Sequence, residues 1–134
     1  MRPVFFIDRA LGLRFADVLA AAGVEVEKHR DHFADNEADE VWIAEVARRG
    51  WYALSQDERI YRNPVQREAV IRAGLGYFVL GGANRQFSEV ASAFITAYPA
   101  VKRFIAATPR PFVASVRLPA RPGGAGRVER RYPR

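Results

Sequence analysis

The chain has 134 residues, enough for one domain with a real core and too few for two, and its 49% apolar and 27% charged residues are those of a globular protein. It has no cysteine, which excludes disulfides, thiolate zinc sites and cysteine nucleophiles. The net charge of +6 resides wholly in residues 110–134, where seven arginines stand against Glu129 alone, so residues 1–109 balance to zero.

No apolar run approaches the roughly 20 residues that cross a bilayer. Asp8 and Arg9 interrupt the N-terminal apolar stretch before it could serve as a signal peptide, so no membrane partner is expected and the predicted location is the cytoplasm. Val4-Phe5-Phe6-Ile7 reads as a strand buried on both faces, and it delivers the Asp8 carboxylate where it stops. From Ala10 to Ala22, Leu11, Phe15, Val18 and Leu19 recur at helical spacing, and Gly23 supplies the stop. Val24 to Glu27 alternates apolar and polar, which predicts a half-exposed or edge strand. His29 to Asn36 is polar and irregular, and a helix follows from about Glu37 to Arg49, ended by Gly50.

Trp51 to Leu54 predicts a third strand, closed by Ser55-Gln56-Asp57-Glu58-Arg59. Asn63-Pro64 opens a helix, since Asn caps and Pro at the first helical position lacks only an N–H that would be unpaired anyway; the helix runs to Ala73 and stops at Gly74. Gly76 to Leu80 is a fourth strand, followed by Gly81-Gly82-Ala83-Asn84. A helix from about Gln86 to Ala97, a short one from Pro99 to Ala107 and a last strand over Pro111–Leu118 complete the folded part. Residues 119–134, rich in Pro, Gly and Arg, read as a flexible basic tail, because they carry too little apolar area to offset the entropy of ordering them. Strands alternating with helices at this spacing predict an α/β domain over residues 1–118, with a parallel sheet between helices.

In that topology strand ends and helix starts share one edge of the sheet, where such folds bind ligands. Asp8 ends the first strand, Asp57 follows the third, Asn84 follows the fourth, and Asp39 and Glu40 occupy the first turn of the second helix. Carboxylates brought together repel unless a cation lies among them. Hard divalent ions such as Mg²⁺ and Mn²⁺ take oxygen ligands of this kind, and such a site activates water for attack on a phosphodiester. Each residue also has a structural reading: Asp39 and Glu40 suit a helix N-terminus, and Asp57 and Asn84 suit turns. Arg9, Arg59, Arg62 and Arg67 are placed either to face phosphates or to be ordinary surface. His29 and His32 read as loop residues, and Trp42 and Trp51 as core.

The succession FFIDRALG (5–12), DHFADNEADEVW (31–42), SQDERI (55–60) and YFVLGGAN (77–84) resembles the PIN-like domain proteins, in particular VapC-type toxins of toxin–antitoxin pairs, over residues 3–117. The resemblance implies a three-layer α/β/α domain and a metal-dependent endoribonuclease. Asp8 takes the place of the first-strand aspartate, Asp39 or Glu40 that of the helix-borne acid, Asp57 that of the aspartate in the T-x-D motif, and Asn84 that of a variable fourth residue. It further implies an RNA substrate, a cognate antitoxin and a homodimer as partners, and Mg²⁺ or Mn²⁺ as cofactor. Ser55 replaces the motif threonine, and Arg9-Ala10 departs from the usual residues after the first aspartate. Two other classes fit the residues alone: a non-catalytic binding module with a basic tail, and a receiver-like phosphoacceptor, which lacks the acid adjacent to Asp8 that it needs.

Overall fold

In the computed structural model, which describes residues 2–81, 86–119 and 126–133, the first apolar run forms β1 (Val4–Ile7). Phe5 and Ile7 enter one core and Phe6 another, so a strand covered on both faces is apolar at every position. A 3-10 turn at Arg9–Leu11 precedes α1 (Gly12–Ala21), so the helix expected from Ala10 begins with a tighter turn. β2 (Glu25–Lys28) is a half-exposed edge strand, as its alternation predicts. A second 3-10 turn, His29–Asp31, occupies the stretch read as irregular, and α2 (Asp39–Arg48) follows.

β3 (Tyr52–Ser55) is buried throughout. α3 (Pro64–Ala73) starts as predicted: Asn63 Oδ1 accepts the N–H groups of Val65 at 3.1 Å and Gln66 at 3.4 Å, with Pro64 at the first helical position. β4 (Gly76–Leu80) follows, buried at every residue. α4 (Phe87–Ala107) then runs unbroken through Pro99, where two helices were expected. Proline removes one backbone hydrogen bond from a helix, but Pro99 lies on the exposed side, while Phe94, Ala97 and Val101 are buried on either side of it and hold both halves to the core.

β5 (Phe112–Arg117) completes the parallel part of the sheet, and β6 (Arg127–Tyr132) pairs antiparallel to it. The flexible tail expected from residue 119 is therefore corrected for residues 127–132. Val128 packs on the core, Arg131 lies over the Tyr61 ring at 4.6 Å, and Arg67 lies over the Tyr132 ring at 4.1 Å, so arginines contribute packing as well as charge. Gly126 enters this strand at φ 74, and a Cβ there would stand 2.7 Å from the Ala97 Cβ, so only glycine fits.

The strand order is β2-β1-β3-β4-β5-β6. From α1 and α4, Phe15, Leu19, Phe94 and Val101 cover one face, against Phe5, Leu54, Phe78 and Phe112. On the other face Trp42, Ile43 and Val46 of α2 and Val70 of α3 pack against Phe6, Ala53, Tyr77 and Val79. The domain is a three-layer α/β/α sandwich. None of its described helices is long and apolar enough to cross a membrane.

Candidate active site

The chain leaves β1 for β2 on one side and returns to β3 on the other, so its direction across the sheet reverses at β1. Such a reversal opens a crevice at the carboxyl ends of the two diverging strands. Asp8 stands there. Its N–H donates to the Leu54 carbonyl at 3.0 Å, which extends the β1–β3 ladder by one residue and fixes the backbone under the carboxylate.

A cleft of about 320 Å³ opens at this point, and Asp8, Asp39 and Asp57 all line it, with Arg9, Gln56 and Tyr77. Burial raises the Asp8 pKa; the Arg9 N–H and His29 pull it back, and the charges of Asp57 and Asp39 push it up again. Among the described residues Asp8 forms no ion pair. Asp57 is the opposite case. Its Oδ1 accepts from Arg59 N–H at 3.0 Å and Arg59 Nε at 2.9 Å, its Oδ2 from Arg59 Nη2 at 2.8 Å, and these bonds hold its pKa below the ordinary value. Asp39 is oriented by Trp42 Nε1, which donates to Oδ1 at 2.9 Å, and by Gln66 Nε2, which donates to Oδ2 at 3.4 Å.

A layer beneath the acids holds the turn after β3. Ser55 Oγ accepts the Asp57 N–H at 3.2 Å and lies 3.0 Å from the Tyr77 hydroxyl, whose pKa burial raises. Ser55 thus orients the turn that carries Asp57. Gln56 Nε2 is buried without a hydrogen-bond partner among the described residues, and its side chain lines the cleft.

Of the residues singled out from sequence, Asp8, Asp39, Asp57, Arg9 and Arg59 meet in this cleft. Glu40 instead lines a neighbouring groove between α2 and α3 with Asn63 and Gln66. Arg62 is exposed at the end of the turn after Asp57 and does not line the cleft. Arg67 donates to the Tyr61 carbonyl at 2.9 Å and lies on Tyr132, away from the acids. Asn84 lies outside the described residues. His32 bonds Glu27 Oε1 at 2.7 Å and meets Trp51 edge-on. His29, read as a loop residue, is buried against Phe6 and Phe33.

Gln56, Gln66, Tyr77 and His29 were not identified as site residues. Tyr77 carried a readable signal: strand alternation places it on the same face as Phe6 and Trp42, beside the acids.

The three carboxylates offer the hard oxygen atoms that Mg²⁺ and Mn²⁺ prefer. Among the described residues no three His, Asp or Glu side chains form a ready metal cage. The donor set therefore fits an ion held by one or two carboxylates that keeps several waters, which is how Mg²⁺ is commonly bound. Asp8, desolvated beside two other acids and lacking a cation, is the residue such an ion would relieve most.

The family model described as PIN-like domain matches residues 3–82. This span includes β1 to β4 and every acid of the cleft. No curated protein and no solved structure matches the chain.

Proposed function

Given that the chain belongs to the PIN-like domain family, a family of nuclease type, we propose that it is a Mg²⁺- or Mn²⁺-dependent endoribonuclease and the toxin of a toxin–antitoxin pair. The observation that carries this reading is the convergence of Asp8, Asp39 and Asp57, from β1, α2 and the end of β3, on one cleft at the reversal point of the sheet. Asp8 and Asp39 would hold the ion directly or through waters, and Asp57 would join them once Arg59 turns away. The ion, when bound, lowers the pKa of a water and neutralises charge developing on the phosphate. Arg59 and Arg9, at the rim, would then hold the RNA backbone, a contact that weakens steeply with salt. The cognate antitoxin would act by covering the cleft, and a homodimer belongs to the same reading.

One observation favours a second reading, a non-catalytic RNA- or protein-binding module: both Asp57 oxygens are occupied by Arg59. Cleavage of a mixed RNA by wild type and Asp8→Asn, each with Mg²⁺, Mn²⁺ or EDTA, separates the two. A nuclease cuts only with metal and with Asp8. RNA that binds equally to both proteins and stays intact throughout identifies the module.

A further inference from the structure

A second pocket, of about 270 Å³, opens on the opposite side of Asp8 from the cleft, between β1, α1 and the 3-10 turn at His29. Asp8 and Arg9 line both, so the two cavities meet at the carboxylate the nuclease reading places at the scissile phosphate. A strand crossing Asp8 would have this pocket beside it.

The pocket's walls are Ile7, Leu13 and Ala16, with Gly12 at its edge. Gly12 adopts φ 83, and a Cβ there would meet nothing within 4 Å, so the glycine serves the left-handed turn and leaves the wall low. Leu13 is 40% exposed, one of few large apolar side chains so placed. The basic residues at the rim are already matched: Arg9 donates to the Asp35 carbonyl and lies 4.0 Å from its carboxylate, Lys28 bonds Asp17 at 2.7 Å, and Arg30 lies 3.9 Å from Asp31. Apolar walls, with cations confined to the rim beside carboxylates, suit a neutral ring.

His29 completes the pocket. It is 94% buried by its 6% exposure, and its Nδ1 has no hydrogen-bond partner among the described residues. A buried ring nitrogen without a partner stands at a cost. Packing on Phe6 and Phe33, at 5.8 and 5.6 Å between centroids, holds this ring where it lines the pocket. Unstacked RNA bases are recognised in this way, by stacking on flat or apolar side chains and by hydrogen bonds to their edges.

We propose that this pocket receives one unstacked base of a single-stranded RNA whose backbone crosses Asp8, and so sets the sequence preference of cleavage. The inference rests on the nuclease reading for the second half of that statement; the binding of the base stands apart from it. Two measurements test it. The first maps fragment ends from a randomised single-stranded RNA cut by wild type, His29→Gln and Leu13→Trp. The wild type enriches one base up to roughly tenfold at one fixed position beside the cut, as expected for a single hydrogen bond that reads the base edge. His29→Gln changes which base is favoured, and Leu13→Trp, which plugs the mouth from an exposed position, removes the preference while still cutting.

The second measurement titrates AMP, GMP, CMP, UMP and ribose 5-phosphate separately into the labelled wild type and follows the Leu13 and Ala16 methyl resonances. At least one nucleotide shifts them, and ribose 5-phosphate does not. Cutting without base preference, or with the same preference in Leu13→Trp, overturns the base pocket and leaves the nuclease standing. Ribose 5-phosphate acting as strongly as the nucleotides also overturns it. Nucleotide shifts without any RNA cleavage keep the pocket and overturn the nuclease. Absence of both overturns the two together.

Discussion

Arg59 grips Asp57 through both carboxylate oxygens, with Nε 2.9 Å from Oδ1 and Nη2 2.8 Å from Oδ2. The same oxygens are those a cation in the cleft would want. Arg59 is 80% exposed, so solvent screens the pair and it contributes little to stability. Replacing it with Gln therefore raises Mn²⁺ affinity by up to about fivefold, read as a larger thermal shift at fixed metal, and weakens RNA binding at low salt. An unchanged metal response in Arg59→Gln would mean that Asp57 takes no part in holding the ion.

Asp8 is uncomfortable in the metal-free protein. Its pKa is raised in the folded state, chiefly by burial, so the folded form holds a proton that the unfolded chain releases near 3.8. Stability from this group is complete below that value and is lost as pH rises through the raised pKa. Asp8→Asn escapes the loss. The variant is expected to melt a few degrees higher than wild type at pH 7 in EDTA, with the difference shrinking toward pH 4 and reversing when Mn²⁺ is added. Melting curves at several pH values settle the matter; a variant less stable at every pH would contradict the description of Asp8.

Tyr77→Phe deletes the hydroxyl that Ser55 meets at 3.0 Å in the buried layer under the acids. A hydrogen bond of this kind contributes about 0.5–1.5 kcal/mol, and the cost should appear in urea unfolding with an unchanged slope. Ser55 still accepts the Asp57 N–H in this variant, so any nuclease activity falls far less than in Asp8→Asn.

Tyr132→Ala tests the C-terminal strand. The Tyr132 hydroxyl donates to the Tyr61 carbonyl at 3.2 Å and its ring carries Arg67 at 4.1 Å. Losing a hydrogen bond and a cation–π contact costs about 1–2.5 kcal/mol together. A melting temperature equal to wild type would return this segment to the status of a loose tail.

β1, β3 and β4 were legible because a strand buried on both faces is a nearly uninterrupted apolar run, here bounded by Gly50, Gly74 and Gly81 or by the acids themselves, whereas β2 was legible from its alternation. Asp8 was legible for the same reason, as a charge directly after such a run. The choice between Asp39 and Glu40 was not, since adjacent helical residues point about 100° apart and only packing of Trp42 and Gln66 decides which meets Asp8. Residues 127–132 resisted reading because composition counts their arginines as charge alone, whereas Arg131 covers Tyr61 and Tyr132 lies beneath Arg67. The continuity of α4 through Pro99 was hidden because local propensity says nothing of the buried Phe94 and Val101 that hold it.

The bond from the Asp8 N–H to Leu54 ties the key carboxylate into the ladder at the middle of the sheet, beside residues that are fully buried. Amide protons in such places exchange with solvent only when the whole domain opens. The backbone beneath the Asp8 carboxylate thus belongs to the most persistent part of the sheet. On the nuclease reading, control of the site would fall to what enters the cleft and to a swing of the exposed Arg59 at its rim.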